Sequence, residues 1–340
     1  MRKIMYIEIA VLLVLLIVSI AVCAVITGND QTPAVPDTPQ PGVSGETPEN
    51  EGPAATPEET STEESTDPGP TWMTVEPGRQ LLAQQYFVYD VKNESFVTIS
   101  AVPEERVYPA SVTKLFTAYV AMQYVEPDRQ ITAGDALDQV AWGSSIAQLK
   151  KGDTLTAEQL VAAMLLPSGN DAAYVLAAEV GRIIDDNMEE NAVAAVMTFM
   201  QEMNRQAQEV GMTGSNFVNP DGIHSDNHYM TFADLCILGK LALENETIMK
   251  YANVAKENVT LNEGQVEWKN TNELIHPDSK YYCPYAVGLK TGQTPNAGAC
   301  LLSAFEMYGY QWIIGVFGCP EEFDRFDDTI QLFNETIGLG

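Results

Sequence analysis

The chain has 340 residues, of which 45% are hydrophobic, so it is long enough for one or two domains with a full apolar core. Eighteen basic residues stand against 47 acidic ones, which gives a formal net charge of −29. Because so acidic a chain lacks the basic surface that releases counterions from a phosphate backbone, non-specific binding to nucleic acid is excluded.

The first 26 residues begin with two basic side chains and continue as an apolar run of 18 residues from Ile9 to Ile26. A run of this length is close to the minimum for crossing a bilayer, and its basic end is expected to stay in the cytoplasm. We therefore predict a transmembrane anchor over residues 1–26. A cleaved signal peptide is the alternative, because the segment from Val22 to Ala24 offers a cleavage site with small residues.

Residues 27–70 have the composition of a flexible linker. They contain nine prolines and ten acidic residues, with no basic residue and no leucine, isoleucine or aromatic side chain. Such a segment cannot bury enough apolar surface to fold. The sequence thus predicts a disordered acidic linker over residues 27–70 and a folded domain over residues 71–340.

The folded region shows strand patterns at both ends and helix patterns in the middle. Gln85–Val91 and Ser95–Val102 alternate as the strands of a hairpin, and an apolar helix begins at Ser111. Four further helices are predicted over residues 156–166, 170–181, 188–210 and 231–244, the second ending at Gly181. Three strands and a closing helix are predicted over residues 286–290, 299–307, 312–319 and 324–337. This order favours one antiparallel sheet with helices packed on it.

The segment Ser111-Val112-Thr113-Lys114 places a hydroxyl and an amine three residues apart, on one face of the apolar helix. The residues after Lys114 leave no polar face, so the helix should be buried on all sides. Burial disfavours the ammonium form and lowers the pKa of a lysine, which makes Lys114 a candidate base for Ser111. Amides at the start of the helix would also suit a developing oxyanion. The ordinary alternative is a capping serine followed by a snorkelling lysine.

Two further motifs carry groups suited to the same chemistry. In Leu166–Asp171 a proline stops one helix, and Ser168-Gly169-Asn170 fills the turn before the next, which Asn170 and Asp171 are expected to cap. Lys290-Thr291-Gly292 ends a strand with a cation, a hydroxyl and a residue without a side chain, so that a substrate backbone can lie close. The alternatives are an ordinary helix connector and a hairpin turn with an exposed lysine.

Taken in order, Ser-x-x-Lys, Ser-x-Asn and Lys-Thr-Gly resemble the active site of penicillin-binding proteins and serine β-lactamases. The segments ASVTKLFTAYVA, LLPSGNDAAYVLA, FVNPDGIHSDNHYMTFADL and AVGLKTGQTPNAGACLL look like the D-alanyl-D-alanine carboxypeptidase family, over about residues 72–335. This resemblance implies an α+β fold of the DD-peptidase/β-lactamase type. It would be a three-layer α/β/α arrangement, with a five-stranded antiparallel sheet, helices on both faces and a helical subdomain.

The resemblance also implies a catalytic domain over residues 71–340 that hydrolyses a D-Ala-D-Ala bond through an acyl-enzyme. Ser111 would attack the carbonyl and Lys114 would accept the proton. Ser168 would relay a proton toward the leaving amine, and Asn170 would hold Lys114 and the substrate amide. No metal or cofactor is expected to take part.

Substrate binding is implied for the third motif. Lys290 and Thr291 would bind the terminal carboxylate, which gives specificity for a free C-terminus. Gly292 would admit the substrate backbone, and the N–H groups of Ser111 and Gln293 would form the oxyanion hole. Family members often have a tyrosine or histidine at the position of Gln293. Since the oxyanion hole needs only the backbone of this residue, the difference concerns the substrate preference and does not affect the mechanism.

The expected partners are the peptidoglycan stem peptide and β-lactam antibiotics, which would acylate the same serine, while no nucleic acid is expected. The N-terminal helix would attach the protein to the bacterial cell membrane with the catalytic domain on the extracytoplasmic side. If the segment is a cleaved signal peptide, the protein would instead be secreted.

Two related functions and one unrelated one compete with this interpretation. A class A β-lactamase needs a glutamate that activates water for deacylation, and Glu189 and Glu190 fall in a predicted helix. A non-catalytic module that senses β-lactams or binds the wall would not need the complete set of catalytic residue types found here. A Ser-His-Asp hydrolase would need a G-x-S-x-G segment, which the sequence lacks.

The histidines and cysteines do not form a metal-binding pattern. His224 and His228 lie four residues apart without an evident third ligand, and His276 falls in a loop, so none is given a functional role. Cys300 and Cys319 would face each other across a hairpin that turns at Gly309-Tyr310, and a disulfide between them is possible.

Overall fold

The computed structural model describes Gly78 and residues 80–338, and the structural statements that follow concern these residues. The predicted anchor over residues 1–26 and the predicted linker over residues 27–70 lie outside them. Within the described part of the chain, none of the helices combines the length and the apolar character that crossing a membrane requires.

A five-stranded antiparallel sheet is the centre of the structure. The strands of the described region are β1 (Gln85–Asp90), β2 (Ser95–Ile99), β3 (Arg106–Val107), β4 (Gln130–Thr132), β5 (Thr154–Thr156), β6 (Met230–Thr231), β7 (Lys256–Leu261), β8 (Gly264–Lys269), β9 (Ala286–Thr294), β10 (Gly298–Met307) and β11 (Tyr310–Cys319). The central sheet has the order β2-β1-β11-β10-β9, which leaves β9 at an edge. Strands β3 and β6, β4 and β5, and β7 and β8 form three separate pairs. The predicted first hairpin and the three late strands are confirmed.

Helices cover both faces of the sheet. They are α1 (Thr113–Ala121), α2 (Ala157–Leu165), α3 (Asn170–Ile184), α4 (Ala192–Glu209), α5 (Phe232–Glu244), α6 (Glu246–Ala252) and α7 (Asp324–Phe333). One apolar cluster joins Phe87 of the sheet to Phe116 of α1 and to the other middle helices. A second cluster joins Val88, the next residue of β1, to Phe326 of α7. Successive strand residues thus serve opposite faces, and the predicted three-layer α+β fold is confirmed.

The capping box predicted at the start of α2 is present. Thr156 Oγ1 accepts a hydrogen bond from the Gln159 N–H at 3.1 Å, and the Gln159 side chain accepts one from the Thr156 N–H at 2.9 Å. This helix ends at Leu165, just before Pro167, as the pattern predicts. The strand pair of β7 and β8 and the short helix α6 were not predicted.

The prediction that Gly181 ends α3 was wrong. The helix continues to Ile184, and Gly181 is the point at which α4 approaches most closely. A Cβ atom at this position would lie 1.8 Å from the carbonyl oxygen of Ala195. The glycine is therefore required for close packing between two helices and does not mark a helix end. Helix α4 itself begins four residues later than predicted, with Asn191 as its N-cap.

The hairpin of β10 and β11 excludes the disulfide considered from the sequence. Met307 pairs with Tyr310, so the chain turns at Tyr308-Gly309, one residue before the predicted position. Cys300 belongs to the apolar cluster on one face of the sheet and Cys319 to the cluster on the other, and both are free thiols.

We expect Gly181→Ala to lower the free energy of unfolding by about 2 kcal/mol, because overpacking against a backbone carbonyl outweighs the higher helix propensity of alanine. The measurement is urea unfolding followed by circular dichroism. Gly134→Ala is the matched control, since a Cβ atom there would meet nothing within 4 Å. Equal stability of the two variants would contradict the packing role of Gly181.

Candidate active site

Ser111 lies in a single 3₁₀ turn, Ala110–Val112, that leads directly into α1. One turn later, Lys114 is wholly buried, and its Nζ atom lies 2.8 Å from Ser111 Oγ. The same Nζ donates a hydrogen bond to the carbonyl oxygen of Asp221 at 2.8 Å. The structure thus brings the hydroxyl and the amine of the first motif into direct contact.

Burial changes the protonation equilibrium of the Lys114 amine. Withdrawal from water lowers the pKa of Lys114 to about 8, while the carboxylates of Asp221 and Asp171 act in the opposite direction. The neutral amine is therefore accessible close to physiological pH. A neutral amine in contact with a hydroxyl can accept its proton as the oxygen attacks an electrophile.

The second motif forms the turn between α2 and α3. Ser168 is buried and has a left-handed backbone with φ of 61°, and Asn170 is the first residue of α3. The Oδ1 atom of Asn170 is buried and has no hydrogen-bond partner among the described residues. Asn170 was expected to hold Lys114, but in this structure the Lys114 amine binds the carbonyl oxygen of Asp221.

The third motif lies on the edge strand β9. Lys290 is buried, and its Nζ donates to the carbonyl of Thr291 at 3.0 Å and to Thr271 Oγ1 at 3.5 Å. The hydroxyls of Thr271 and Thr291 are 2.5 Å apart. A Cβ atom on Gly292 would lie 3.0 Å from the backbone nitrogen of Ser111, so this glycine allows β9 to pack against the serine turn.

Arg325 is a buried cation of the site that the sequence reasoning missed. It lies on α7, and its Nη1 donates to the carbonyl of Gly292 at 3.2 Å. Burial lowers the pKa of Lys290 well below its usual value, and the nearby charges of Lys114 and Arg325 add to this. One feature of the sequence could have indicated that Arg325 is buried, because it lies beside Phe326 on the apolar face of the closing helix.

Thr271 and Asp221 were also not given roles from the sequence. Thr271 is held in place by its neighbours, because the Asn270 side chain donates to the carbonyl of Val254 at 3.1 Å and His276 Nε2 lies 2.7 Å from the Asn270 carbonyl. His276 therefore has a structural role beside the site. Asp221 lies within the segment FVNPDGIH, whose resemblance to the family was the available signal.

His228 stabilises the first turn of α1. Val218 N–H donates to His228 Nδ1 at 3.3 Å, so Nε2 carries the hydrogen and donates to Thr113 Oγ1 at 2.8 Å. Burial lowers the pKa of His228 to about 4, and the ring is neutral at physiological pH. This histidine fixes the residue that precedes Lys114.

A cleft of about 380 Å³ opens beside the serine. Of the predicted site residues, Ser111, Asn170 and Gln293 line it. Residues 141–145 also line it, and they belong to a segment that we call the cleft loop (residues 141–149).

Asp171 fastens the cleft loop to the second motif. Its two carboxylate oxygens accept hydrogen bonds from the N–H groups of Ala147 at 2.8 Å and Leu149 at 3.0 Å. Asn170 adds a backbone bond from its N–H to the carbonyl of Ser145 at 2.9 Å. Burial raises the pKa of Asp171, and these N–H donors act against that rise. The predicted capping role of Asp171 is thus replaced by a connection between the two walls of the cleft.

Known structures share this architecture. The Streptomyces K15 DD-transpeptidase matches with a TM-score of 0.68 and 27% sequence identity, over 77% of this chain and 99% of that chain. Penicillin-binding protein D2 from Listeria monocytogenes, in its ampicillin-bound form, matches with a TM-score of 0.62 and 26% identity, over 77% of this chain and all of the other. The fold is therefore that of the penicillin-binding DD-peptidases.

Sequence comparison identifies the family within this class. The family described as D-alanyl-D-alanine carboxypeptidase matches residues 72–320, and the chain belongs to it. The D-alanyl-D-alanine carboxypeptidase DacF of Bacillus subtilis is 30% identical over 226 residues, which cover 65% of this chain and 54% of that protein. The matched region thus spans about half the length of this relative.

We expect Asp171→Ala to lower the free energy of unfolding by about 3 kcal/mol, because buried N–H groups of the cleft loop lose their acceptor. The Asp171→Asn variant should lose less stability, because its amide oxygen can still accept a hydrogen bond from the cleft loop. Urea unfolding of both variants gives the comparison. Asp138→Ala is the control, because its carboxylate is exposed and forms an ion pair with exposed Lys151. A loss no greater than that of the control would contradict the fastening role.

Proposed function

We propose that the protein is a serine-type D-Ala-D-Ala carboxypeptidase that removes the terminal D-alanine from peptidoglycan stem peptides. The observation that carries the proposal is the 2.8 Å contact between the buried amine of Lys114 and the hydroxyl of Ser111. A lysine with a pKa of about 8 is a suitable general base for a serine nucleophile near neutral pH.

In the acylation step, Ser111 Oγ bonds to the carbonyl carbon of the terminal D-Ala-D-Ala peptide, and the hydroxyl proton passes to Lys114 Nζ. The N–H groups of Ser111 and Gln293 are the donors we assign to the oxyanion. Both residues line the cleft, and Gly292 allows their backbones to approach each other.

The leaving amine then takes up a proton. We assign the relay to Ser168 and the binding of the substrate amide to Asn170, whose unpartnered Oδ1 is an available acceptor for a substrate N–H. The C–N bond breaks, D-alanine departs as the amine, and the rest of the peptide remains as an ester of Ser111. Water attacks this ester and restores the serine.

Recognition of a free C-terminus is assigned to the cations at the β9 edge. Lys290 and Arg325 are both buried, and Arg325 contacts the backbone of Gly292 between Thr291 and Gln293. A carboxylate that arrives beside these buried groups favours their charged forms, and for Arg325 it adds to the ion pair with Glu322 at 3.1 Å. The Thr291 hydroxyl completes the site, and Thr271 orients it through their 2.5 Å contact.

The position of the glutamates disfavours a class A β-lactamase. No glutamate is among the described residues that line the cleft. Glu189 and Glu190 lie in the turn between α3 and α4 and not in a helix as predicted. Slow release of a penicillin from Ser111 is therefore expected. A module that only binds the wall would not require the contact between Lys114 and Ser111, and a β-lactam sensor would be acylated at Ser111 without releasing D-alanine from a peptide.

A DD-transpeptidase is a second candidate, favoured by the likeness to the Streptomyces K15 DD-transpeptidase. Both functions share the acyl-enzyme and differ in the acceptor, which is water in one and a peptide amine in the other. Product analysis with and without an added acceptor amine distinguishes a hydrolytic from a transferring enzyme.

We also propose that residues 1–26 anchor the protein in the cell membrane, with the linker of residues 27–70 carrying residues 71–340 on the extracytoplasmic side. The support is the apolar run of 18 residues behind two basic side chains. Substrates in the cell wall would be within reach of a domain placed there. Fractionation of cells into membrane and secreted proteins separates the anchor from a cleaved signal peptide.

Mixed with excess benzylpenicillin, the full chain is expected to gain the mass of one penicillin, and Ser111→Ala is expected to gain none, because the nucleophile is absent. Intact mass spectrometry over time makes the measurement, alongside D-alanine release from diacetyl-L-Lys-D-Ala-D-Ala. Ser95→Ala, on β2, serves as the control. Rapid consumption of the drug without an adduct would indicate a β-lactamase, and an intact drug without an adduct would refute the proposal.

The rate of acylation by benzylpenicillin should rise with pH and reach half of its maximum near pH 8, because only neutral Lys114 accepts a proton. Lys114→Arg should lower this rate by about 10²- to 10⁴-fold, the range that general base catalysis supplies. Stopped-flow measurements between pH 6 and about 10 cover the ionisation. Lys150→Arg, at an exposed site, should retain the wild-type profile. An unchanged rate in Lys114→Arg would exclude Lys114 as the base.

A further inference from the structure

The central sheet has a well-defined end on the side of the β10–β11 turn. A single row of paired residues crosses all five strands there, formed by Ser95, Asp90, Trp312, Phe305 and Ala286. Three segments lie at or beyond this row, namely residues 91–94, 282–285 and 306–312. We call these three segments the aromatic end of the sheet.

The aromatic end carries more ring side chains than its packing requires. They are Tyr282, Tyr285, Tyr308, Tyr310 and Trp312. Tyr282, Tyr308 and Tyr310 are exposed, Tyr308 to 82%, and these three rings belong to neither apolar cluster. Tyr310 stacks on Trp312 with ring centroids 6.0 Å apart. The core therefore does not account for the exposed rings.

The described chain begins at this same end. The N–H group of Gly78 donates to Glu335 Oε1 at 2.6 Å. Glu335 lies two residues beyond Phe333, whose ring stacks on Phe305 of the terminal row with centroids 4.5 Å apart. The residues that follow Gly78 then run back along α7. The connection to residues 1–77 is therefore made on the side of the aromatic end.

The cleft lies toward the other end of the sheet. Strand β9 runs from Ala286 in the terminal row to Thr294, and Thr294 lines the cleft together with Ser111. Eight residue steps along a strand measure about 26 Å. A partner at the aromatic end would therefore leave the cleft uncovered.

We propose that the aromatic end is an interaction surface for the lipid headgroup layer of the membrane, which the rings of Tyr282, Tyr308 and Tyr310 enter. Tyrosine and tryptophan favour this layer, because their rings are apolar while their hydroxyl and N–H groups still meet water. The membrane is the partner to which the geometry points, because the chain before Gly78 leads back to the apolar run of residues 9–26. This inference rests on the proposed membrane anchor and is independent of the proposed catalysis.

Three rings bind a bilayer weakly on their own, so the connection to the anchor matters. A flexible chain of 44 residues, the length of the proposed linker, has an r.m.s. span of about 35–40 Å, which keeps the domain at a high effective concentration near the bilayer. The net charge of −29 disfavours an anionic surface, so the contact is made by the rings and on neutral headgroups. Docked in this way, the domain directs its cleft away from the bilayer and toward the wall.

The experiment places the full chain in phosphatidylcholine vesicles that contain brominated lipid, which quenches the fluorescence of a nearby tryptophan. Tyr308→Trp adds a reporter at the aromatic end. Met197→Trp is the matched control, because it adds a reporter at an exposed position of α4, outside the aromatic end. After subtraction of the wild-type emission, the brominated lipid should quench the reporter of Tyr308→Trp and leave that of Met197→Trp unchanged.

A second variant tests whether the neighbouring rings take part. Adding Tyr282→Ser and Tyr310→Ser to Tyr308→Trp should lower the ratio of docked to free chains about tenfold, because partial burial of two rings is worth about as much as burial of two methylene groups. The same quenching with and without these two substitutions would contradict the role of the rings.

Equal quenching of the two reporters would overturn the inference. A shift of the Tyr308→Trp emission to shorter wavelength, without quenching by brominated lipid, would assign this end to contact with a second copy of the chain and would overturn it too. Chains that do not float with the vesicles would overturn the proposed anchor along with the inference. An adduct with benzylpenicillin in the same sample shows that the proposed catalysis is unaffected by either failure.

Discussion

The burial of a single amine, that of Lys114, is the constraint on which the site depends. Moving an ammonium group out of water costs several kcal/mol, so an ordinary protein places lysine at its surface. Here the apolar helix α1 holds it against only a hydroxyl and a carbonyl oxygen. Asp171 and Asp221 offset part of this cost, because they favour the charged form. Burial remains the larger effect, so the pKa of Lys114 still falls to about 8.

The electrostatics of the site couple several elements that are far apart in the chain. Lys114 on α1 and Arg325 on α7 both disfavour charge on Lys290 of β9, since like charges meet in a poorly solvated region. A ligand with a carboxylate relieves this repulsion, whereas a neutral ligand does not. Burial therefore lowers the pKa of both lysines, and in the proposed function the carboxylate of the substrate favours the charged form of Lys290.

Much of the fold could be predicted, because its strands and helices have strong local patterns. Strand β1 alternates between two apolar clusters, and α2 has a capping box and a proline, so the signals lie within each element. The prediction for Gly181 was wrong because glycine is common both at helix ends and where two helices pack closely. Which of the two roles applies depends on the position of α4, and local sequence patterns do not predict that position. In the site, Ser111 and Lys114 are one turn apart, whereas Arg325 is 33 residues from Gly292 and meets it only through the fold.

Ala110, which precedes the nucleophile, and Ser168 of the second motif have left-handed backbones, with φ of 47° and 61°. Each such conformation costs on the order of 1–3 kcal/mol and persists because the surroundings impose it. Gly222 packs closely against Ala110, since a Cβ atom at position 222 would lie 1.9 Å from the Ala110 carbonyl oxygen. The favourable free energy of folding therefore compensates for the backbone strain at these two residues. A ligand that arrives later therefore orders little backbone at these positions, which removes one part of the cost of binding.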